Sequence, residues 1–442
     1  DATWDVAALT PLPPLPPISW GRRPNRRPSP SPIAPAQRAP SNSQKGTPVT
    51  TRTVLVINSG SSSIKYQLID PDAGESLASG IVERIGDVTG SITHKHAGEK
   101  TVIDEPVPDH GFGLAEVLRL FEEKGPSLTE ANIVAVGHRV VQGGHYFSGP
   151  ALIDDDVVAR IEEFVPLGPL HNPAHLKGIE VGRELLADVP HVAVFDTAFF
   201  QDLPEEAARY GLNRKVADTY SIRRYGAHGT SHQFVSGEIS KRLGREDLKQ
   251  IVLHLGNGAS VSAVVGGRAV ETSMGLTPLE GLVMGGRTGD IDPAAVFHLS
   301  RVAGMSIDEI DHLFNRESGM KGLTGQQDMR EVWRLVDAGD QNARDAIDVY
   351  IHRLLKYVGA YTAVMGGVDA ITFTAGIGEN DSRVRAELCR RLGYLGVRID
   401  AEANAVRASE PVTISTPESS VVITVFPTNE ELAIARQAVT LL

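Results

Sequence analysis

Two segments about two hundred residues apart share one pattern, and it constrains the fold more than any other feature. "VLVINSGSSSIKYQL" runs from Val54 to Leu68, and "IVLHLGNGASVSAVV" from Ile251 to Val265. Each is an apolar run of strand length, a break of small residues, and then an alternating run that reads as a second strand. Small residues at a reversal let backbone N–H groups approach an anion, and serine hydroxyls add donors. Either turn alone also serves as a plain hairpin. The pair, with a third glycine-rich turn "FTAGIGEN" (373–380) that leads toward a helix, favours a nucleotide polyphosphate and two related domains facing one another.

No G-x-x-x-x-G-K-[ST] string is present, and no G-x-G-x-x-G opens a helix after the first strand. Phosphates would therefore be held by hairpins. Around these turns, "GIVERI" and "KTVIDEPV" read as further strands. "GLAEVLRLFEEKG" places Leu114, Val117, Leu118 and Phe121 at helical spacing. "NIVAVGHRVVQGG" and "HVAVFDTAFF" read as buried strands whose carboxyl ends open onto a cleft. In "DSRVRAELCRRLG", Val384, Leu388 and Leu392 form one helical face, which Asn380 or Asp381 can cap and Gly393 can stop.

The chain has 442 residues, 41% of them hydrophobic, enough for two or three domain-sized cores. Twelve of its 27 prolines fall before Val49, in a stretch whose composition builds no core, so residues 1–52 are expected to be a disordered extension. That stretch carries a charge of +5 within a total of −12, which leaves the remainder strongly acidic. Nonspecific nucleic-acid binding is therefore not expected, and an anionic substrate would need local cations inside a cleft. One cysteine, Cys389, allows no internal disulfide, and no apolar run is long enough to span a membrane. Arg22-Arg23 lacks the apolar segment of an export signal, so a cytoplasmic location is the expectation.

In order along the chain, "VLVINSGSSSIKYQL", "VGHRVVQGG", "HNPAH", "VFDTAFF", "YGAHGTSH", "HLGNGAS", "SMGLTPLEGLVMGGRTGD", "FTAGIGEN" and "PTNEELAIA" resemble the acetate kinases from Thr53 to Leu442. The resemblance implies an α/β fold of the two-domain actin-like ATPase (ribonuclease H-like) type, with a duplicated βββαβαβα core. It implies residues 53–196 plus 430–442 as the acyl and phosphoryl side, and residues 197–429 as the nucleotide-binding side. It implies transfer of the ATP γ-phosphoryl to acetate, with ATP or ADP as cosubstrate, Mg2+ as cofactor and a homodimer as the assembly.

The resemblance also implies roles for named residues. Arg139 and Arg287 would hold the substrate carboxylate and the transferring phosphoryl, for which a planar guanidinium is suited. His228 would donate to the phosphoryl group, and Asp196 matches an essential aspartate. Acetate is already ionised at neutral pH, so Asp196 is expected to position other groups or the metal shell and not to abstract a proton. Mg2+ would meet Asn58 and Glu430. The acyl tail would meet Val141, Leu170, His171 and Pro278. ATP would meet Ser61, Ser63, Lys65, His254, Asn257, Gly258, Asp328, Met329, Arg330, Gly376, Ile377 and Asn380. Gln142 stands where many members carry histidine, which leaves the shape of the acyl site open.

Three rival readings remain at this point. The i, i+4 pairs His171/His175 and His228/His232 could meet at a zinc ion. A propionate or butyrate kinase would carry nearly the same motifs. A noncatalytic ATP-driven clamp would share the hinged architecture, though it has no use for two arginines that receive a carboxylate.

Overall fold

The computed structural model describes residues 52–169, 171–407 and 409–442. The expected disordered extension therefore lies outside the described residues, apart from Arg52. Fourteen strands form two sheets among the described residues. In chain order the first sheet contains β1 (Thr53–Ser59), β2 (Ser63–Asp70), β3 (Glu75–Glu83), β4 (Ser91–His96), β5 (Glu99–Ile103), β6 (Ile133–Val140), β7 (Ala151–Leu152) and β8 (His191–Phe195). The second contains β9 (Lys249–Leu255), β10 (Ala259–Val265), β11 (Arg268–Thr272), β12 (Ala370–Thr374), β13 (Val412–Thr413) and β14 (Val422–Val425).

Both pattern-bearing segments are the strand pairs that the alternation predicts. β1 and β2 run antiparallel with Val54 opposite Ile69 and Ile57 opposite Tyr66, and β9 and β10 run antiparallel with Leu255 opposite Ala259. The spatial orders are β5-β4-β3-β2-β1-β6-β8-β7 and β11-β10-β9-β12-β14-β13. Each contains three antiparallel strands, β3-β2-β1 or β11-β10-β9, followed by two parallel ones, β6 and β8 or β12 and β14, and the first sheet extends the antiparallel run with β4 and β5. That is the duplicated core. β1 and β9 sit at its centre, buried on both faces, which is why their sequences are continuous apolar runs.

The helix His110–Lys124 buries Leu114, Val117 and Phe121 against the first sheet, starting from an Asp109 cap. Ser382–Arg391 starts from Asp381, whose carboxylate accepts from the N–H groups of Arg383 and Val384. The strand Ser91–His96 was not anticipated. Its buried polar His94 bonds to Tyr66 Oη and so breaks the apolar alternation.

The last helix of each half packs on the opposite sheet. Gly229–Leu243, which follows β8, places Val235 and Ile239 against Val252 and Ala370 of the second sheet. Glu430–Ala438, which follows β14, places Leu432, Ile434, Ala435 and Ala438 against Val54, Val56, Ala135 and Val194 of the first. The two helices also touch each other. This exchange brings the carboxyl ends of β6, β8 and β9 and the start of Glu430–Ala438 to one place.

Candidate active site

Arg139 occupies the carboxyl end of β6, and Asp196 follows β8. Asp196 is 1% exposed, and its Oδ2 accepts from Arg139 Nη2 at 2.7 Å and Nε at 3.1 Å. Its Oδ1 accepts from Thr230 Oγ1 at 3.1 Å. Burial raises the Asp196 carboxyl pKa, and Arg139 opposes that through its charge and hydrogen bonds. With both oxygens engaged, Asp196 is an orienting group for Arg139. The helix from Gly229 starts against it: Gly229 N donates to Asp196 O at 2.8 Å, and a Cβ at Gly229 would lie 2.2 Å from that oxygen.

Glu430 sits at the start of its helix. Its nearest charged neighbours are more distant, Arg139 Nη1 at 3.8 Å and His254 Nε2 at 4.0 Å. Burial works against its ionised form, but the attraction of its electropositive surroundings, Arg139 foremost, outweighs it and holds the carboxyl below the ordinary range. An ionised carboxylate with no close donor fits a hydrated Mg2+, which needs only one or two protein oxygens. Asn58, at the end of β1 opposite Lys65, has no side-chain hydrogen bond among the described residues, and its amide oxygen fits the same role.

Arg287 is the contrasting arginine. Nη1 donates to Pro278 O at 3.2 Å and approaches Met284 Sδ, and among the described residues no carboxylate pairs with it. Burial, then the charge of Arg316, lowers its pKa. His171 lies within the field of Arg287, Arg139 and Arg316, and burial together with those charges pushes its pKa down to about 4. A neutral imidazole beside three cations marks a place built for an anion. Val141, two residues past Arg139, is buried there. Leu170 lies outside the described residues. Gln142 is buried, and its Oε1 accepts from Gly144 N at 2.9 Å.

His228 has a left-handed backbone (φ 60°), an uncommon conformation for a non-glycine residue that recurs at functional sites. Its ring stacks on His254 with centroids 4.3 Å apart, and Gly258 lies against both His228 and Arg287. Burial lowers the pKa of His228 well below the ordinary value, with His254 and Arg139 adding to the effect.

A cleft of about 860 Å³ opens beside this group. Asn257, Asp328, Met329, Arg330, Gly376, Ile377 and Asn380, the residues expected on the ATP side, all line it. Gln327, Trp333, Arg383 and Arg407 line it too and were missed. Gln327 Nε2 holds Asn257 Oδ1 at 2.7 Å, and a Cβ at Gly285 would lie 2.0 Å from that same oxygen. Arg383 lies 3.8 Å over the Trp333 ring, whose Nε1 donates to Asp381.

Ser61, in the turn between β1 and β2, and Ser63 and Lys65 on β2 do not line this cleft, and His254 faces Glu430. The zinc reading fails. Among the described residues no three His, Cys, Asp or Glu side chains are placed to hold a metal, and both nitrogens of His232 are engaged by serines.

The profile of the acetokinase family matches residues 53–436. The acetate kinase of Corynebacterium aurimucosum is 53% identical over 390 residues, covering 87% of this chain and 96% of that one. Among solved structures, a propionate kinase from Francisella tularensis superposes with a TM-score of 0.83 at 42% identity, covering 88% of this chain and 100% of that one. The acetate kinase of Porphyromonas gingivalis superposes with a TM-score of 0.83 at 41% identity, covering 88% and 99%.

Proposed function

This chain belongs to the acetokinase family, and from that premise we infer that it transfers the γ-phosphoryl group of ATP reversibly to acetate. A carboxylate oxygen of acetate attacks the γ-phosphorus, the bond to the β–γ bridging oxygen breaks, and ADP leaves with that oxygen. No base is needed, because acetate is ionised at neutral pH.

The observation that carries the reading is Arg287, a half-buried guanidinium without an acidic partner among the described residues, in the same field as the Asp196-held Arg139. Two arginines, one free to take an anion and one held in place, suit a reaction that brings two anions together. Arg139 is proposed to hold the acetate carboxylate, Arg287 the moving phosphoryl, and His228 to donate to a phosphoryl oxygen. Asn58 and Glu430 would hold Mg2+, which supplies charge neutralisation on the phosphates. The adenosine end of ATP fits the cleft of Asp328, Arg330, Gly376, Ile377 and Asn380.

The same reading takes residues 53–196 with 430–442, and residues 197–429, as two lobes that close to exclude water from the acyl phosphate. It places the enzyme in the cytoplasm. A homodimer is supported by the segment 291–307, where Ile291, Phe297, Val302 and Ile307 are exposed, Val302 by 72%. Light scattering on the purified chain, and on Phe297→Asp, tests it.

The functional test is ATP- and Mg2+-dependent acyl phosphate formation trapped with hydroxylamine, with acetate, propionate and butyrate in parallel. Acetate is expected to be the best substrate. Preference for propionate or butyrate would reassign the acyl class, and no product with any of the three would overturn the kinase reading.

A further inference from the structure

Ser260 and Ser262 alternate with Val261 on β10, so both hydroxyls project from one face of the strand. The helix Gly229–Leu243 crosses that face, with His228 and His232 one turn apart. Two residues of strand and four of helix both span about 6–7 Å, so the serines and histidines interleave. Ser262 Oγ lies 2.7 Å from His232 Nδ1, His232 Nε2 lies 2.7 Å from Ser260 Oγ, and Ser260 Oγ lies 2.9 Å from His228 Nδ1. His232, Ser260 and Ser262 are fully buried.

The protons in this chain can run in two directions. In one, Ser262 O–H donates to His232 Nδ1, His232 Nε2–H donates to Ser260, and Ser260 O–H donates to His228 Nδ1. Every proton between Ser262 and His228 Nδ1 then has an acceptor, and the remaining His228 Nε2–H is presented toward Gly258 and Arg287, where a phosphoryl oxygen would accept it. In the other, His232 Nδ1–H donates to Ser262. The Ser262 proton is then left without an acceptor among the described residues, which is costly for a buried hydroxyl.

We propose that Ser262, His232 and Ser260 are positioning residues that fix His228 as the Nε2–H tautomer, so that it meets the phosphoryl group with a donor and not with a lone pair. The use of that donor rests on the phosphoryl-transfer reading; the tautomer itself does not. A neutral Nε2–H aimed at developing negative charge contributes only if it is already oriented, and the buried chain orients it.

The experiment is long-range 1H–15N NMR on the full chain labelled with 15N-histidine, with His228 and His232 assigned by His→Gln substitutions. Both are expected to show protonated Nε2 and unprotonated Nδ1 in the absence of ligand. Ser262→Ala is expected to give mixed tautomers at His232 and His228 and to lower kcat about 10-fold, with KM for acetate and ATP unchanged. Ser262→Thr, which keeps the hydroxyl, is expected to restore both. A protonated Nδ1 at His228 in the parent protein overturns the proposal, whether or not Ser262→Ala folds. So does a Ser262→Ala protein with parental spectra and kcat. A parent protein with the expected tautomers but no acetate phosphorylation would sink the functional reading and leave the tautomer assignment standing.

Discussion

Glu379 Oε1 accepts from two backbone N–H groups, Ala375 at 2.8 Å and Thr428 at 3.0 Å. One carboxylate oxygen thus ties the turn that lines the proposed nucleotide cleft to the loop that delivers Glu430. Ala375 needs the tie, since it holds a left-handed φ of 64°. Glu379→Ala leaves both donors unpaired, and the expected outcome is a stability loss of about 1–3 kcal/mol with a several-fold higher Mg2+ half-saturation. Urea unfolding and Mg2+ titration of the rate check it; an unchanged Mg2+ profile would separate the tie from metal binding.

The two arginines should differ in stability although both are needed for rate. Arg139→Ala strands the buried Asp196 charge and is expected to destabilise by about 3–5 kcal/mol. Arg287→Ala removes a half-buried cation that has no acidic partner among the described residues, so stability should hold or rise by about 1 kcal/mol while kcat/KM falls ~100-fold or more. Denaturant midpoints beside kinetics decide it, and equal destabilisation by the two would refute the contrast.

Asn58→Ala should leave the fold intact, since Asn58 makes no side-chain hydrogen bond among the described residues. The Mg2+ needed for half-maximal rate is expected to rise and turnover to fall. Circular dichroism and Mg2+-dependent kinetics together test this.

Acid should unfold the protein from a relatively high pH. His254, buried and pushed down to about 4, is neutral in the folded chain while the unfolded chain takes up a proton near 6.5. Between those values the unfolded state binds more protons, so stability falls as pH falls, by about 1.4 kcal/mol per pH unit for each such histidine. His138, His175, His228 and His232 are lowered in the same direction, each primarily by burial. The expected curve is flat above about pH 7 and steepens below 6.5. Thermal unfolding across pH 3–8 would contradict it by showing loss only below pH 4.

Trp333 should report nucleotide binding. It lines the cleft beneath Arg383, and it is the only tryptophan among the described residues. In a Trp4→Phe, Trp20→Phe background, ADP is expected to change its emission saturably. Absence of a change with ADP bound by calorimetry would place the nucleotide elsewhere.

Local patterns made much of this fold legible before any coordinates. The paired strands at Val54–Leu68 and Ile251–Val265 follow from alternation alone, and the helix at Ser382–Arg391 follows from its apolar face and Asp381. What stayed hidden depends on tertiary position. Trp333 and Arg383 sit on helices whose patterns explain them as ordinary amphipathic residues, and only the fold turns them into one cleft. The spacing of His228 and His232 leaves a rival zinc reading open, because it shows that they share a face but not what lies opposite. What lies opposite is a pair of serines twenty-eight or more residues on.

The exchange of final helices has a consequence for how the chain holds together. The segment up to Gly244 carries Gly229–Leu243, which completes the core around Val252, and the segment beyond carries Glu430–Ala438, which completes the core around Val54. Neither half is a finished body without an element from the other. Unfolding should therefore be a single event, and a backbone cut after Gly244 should leave two fragments that clasp one another, each supplying the piece its counterpart lacks.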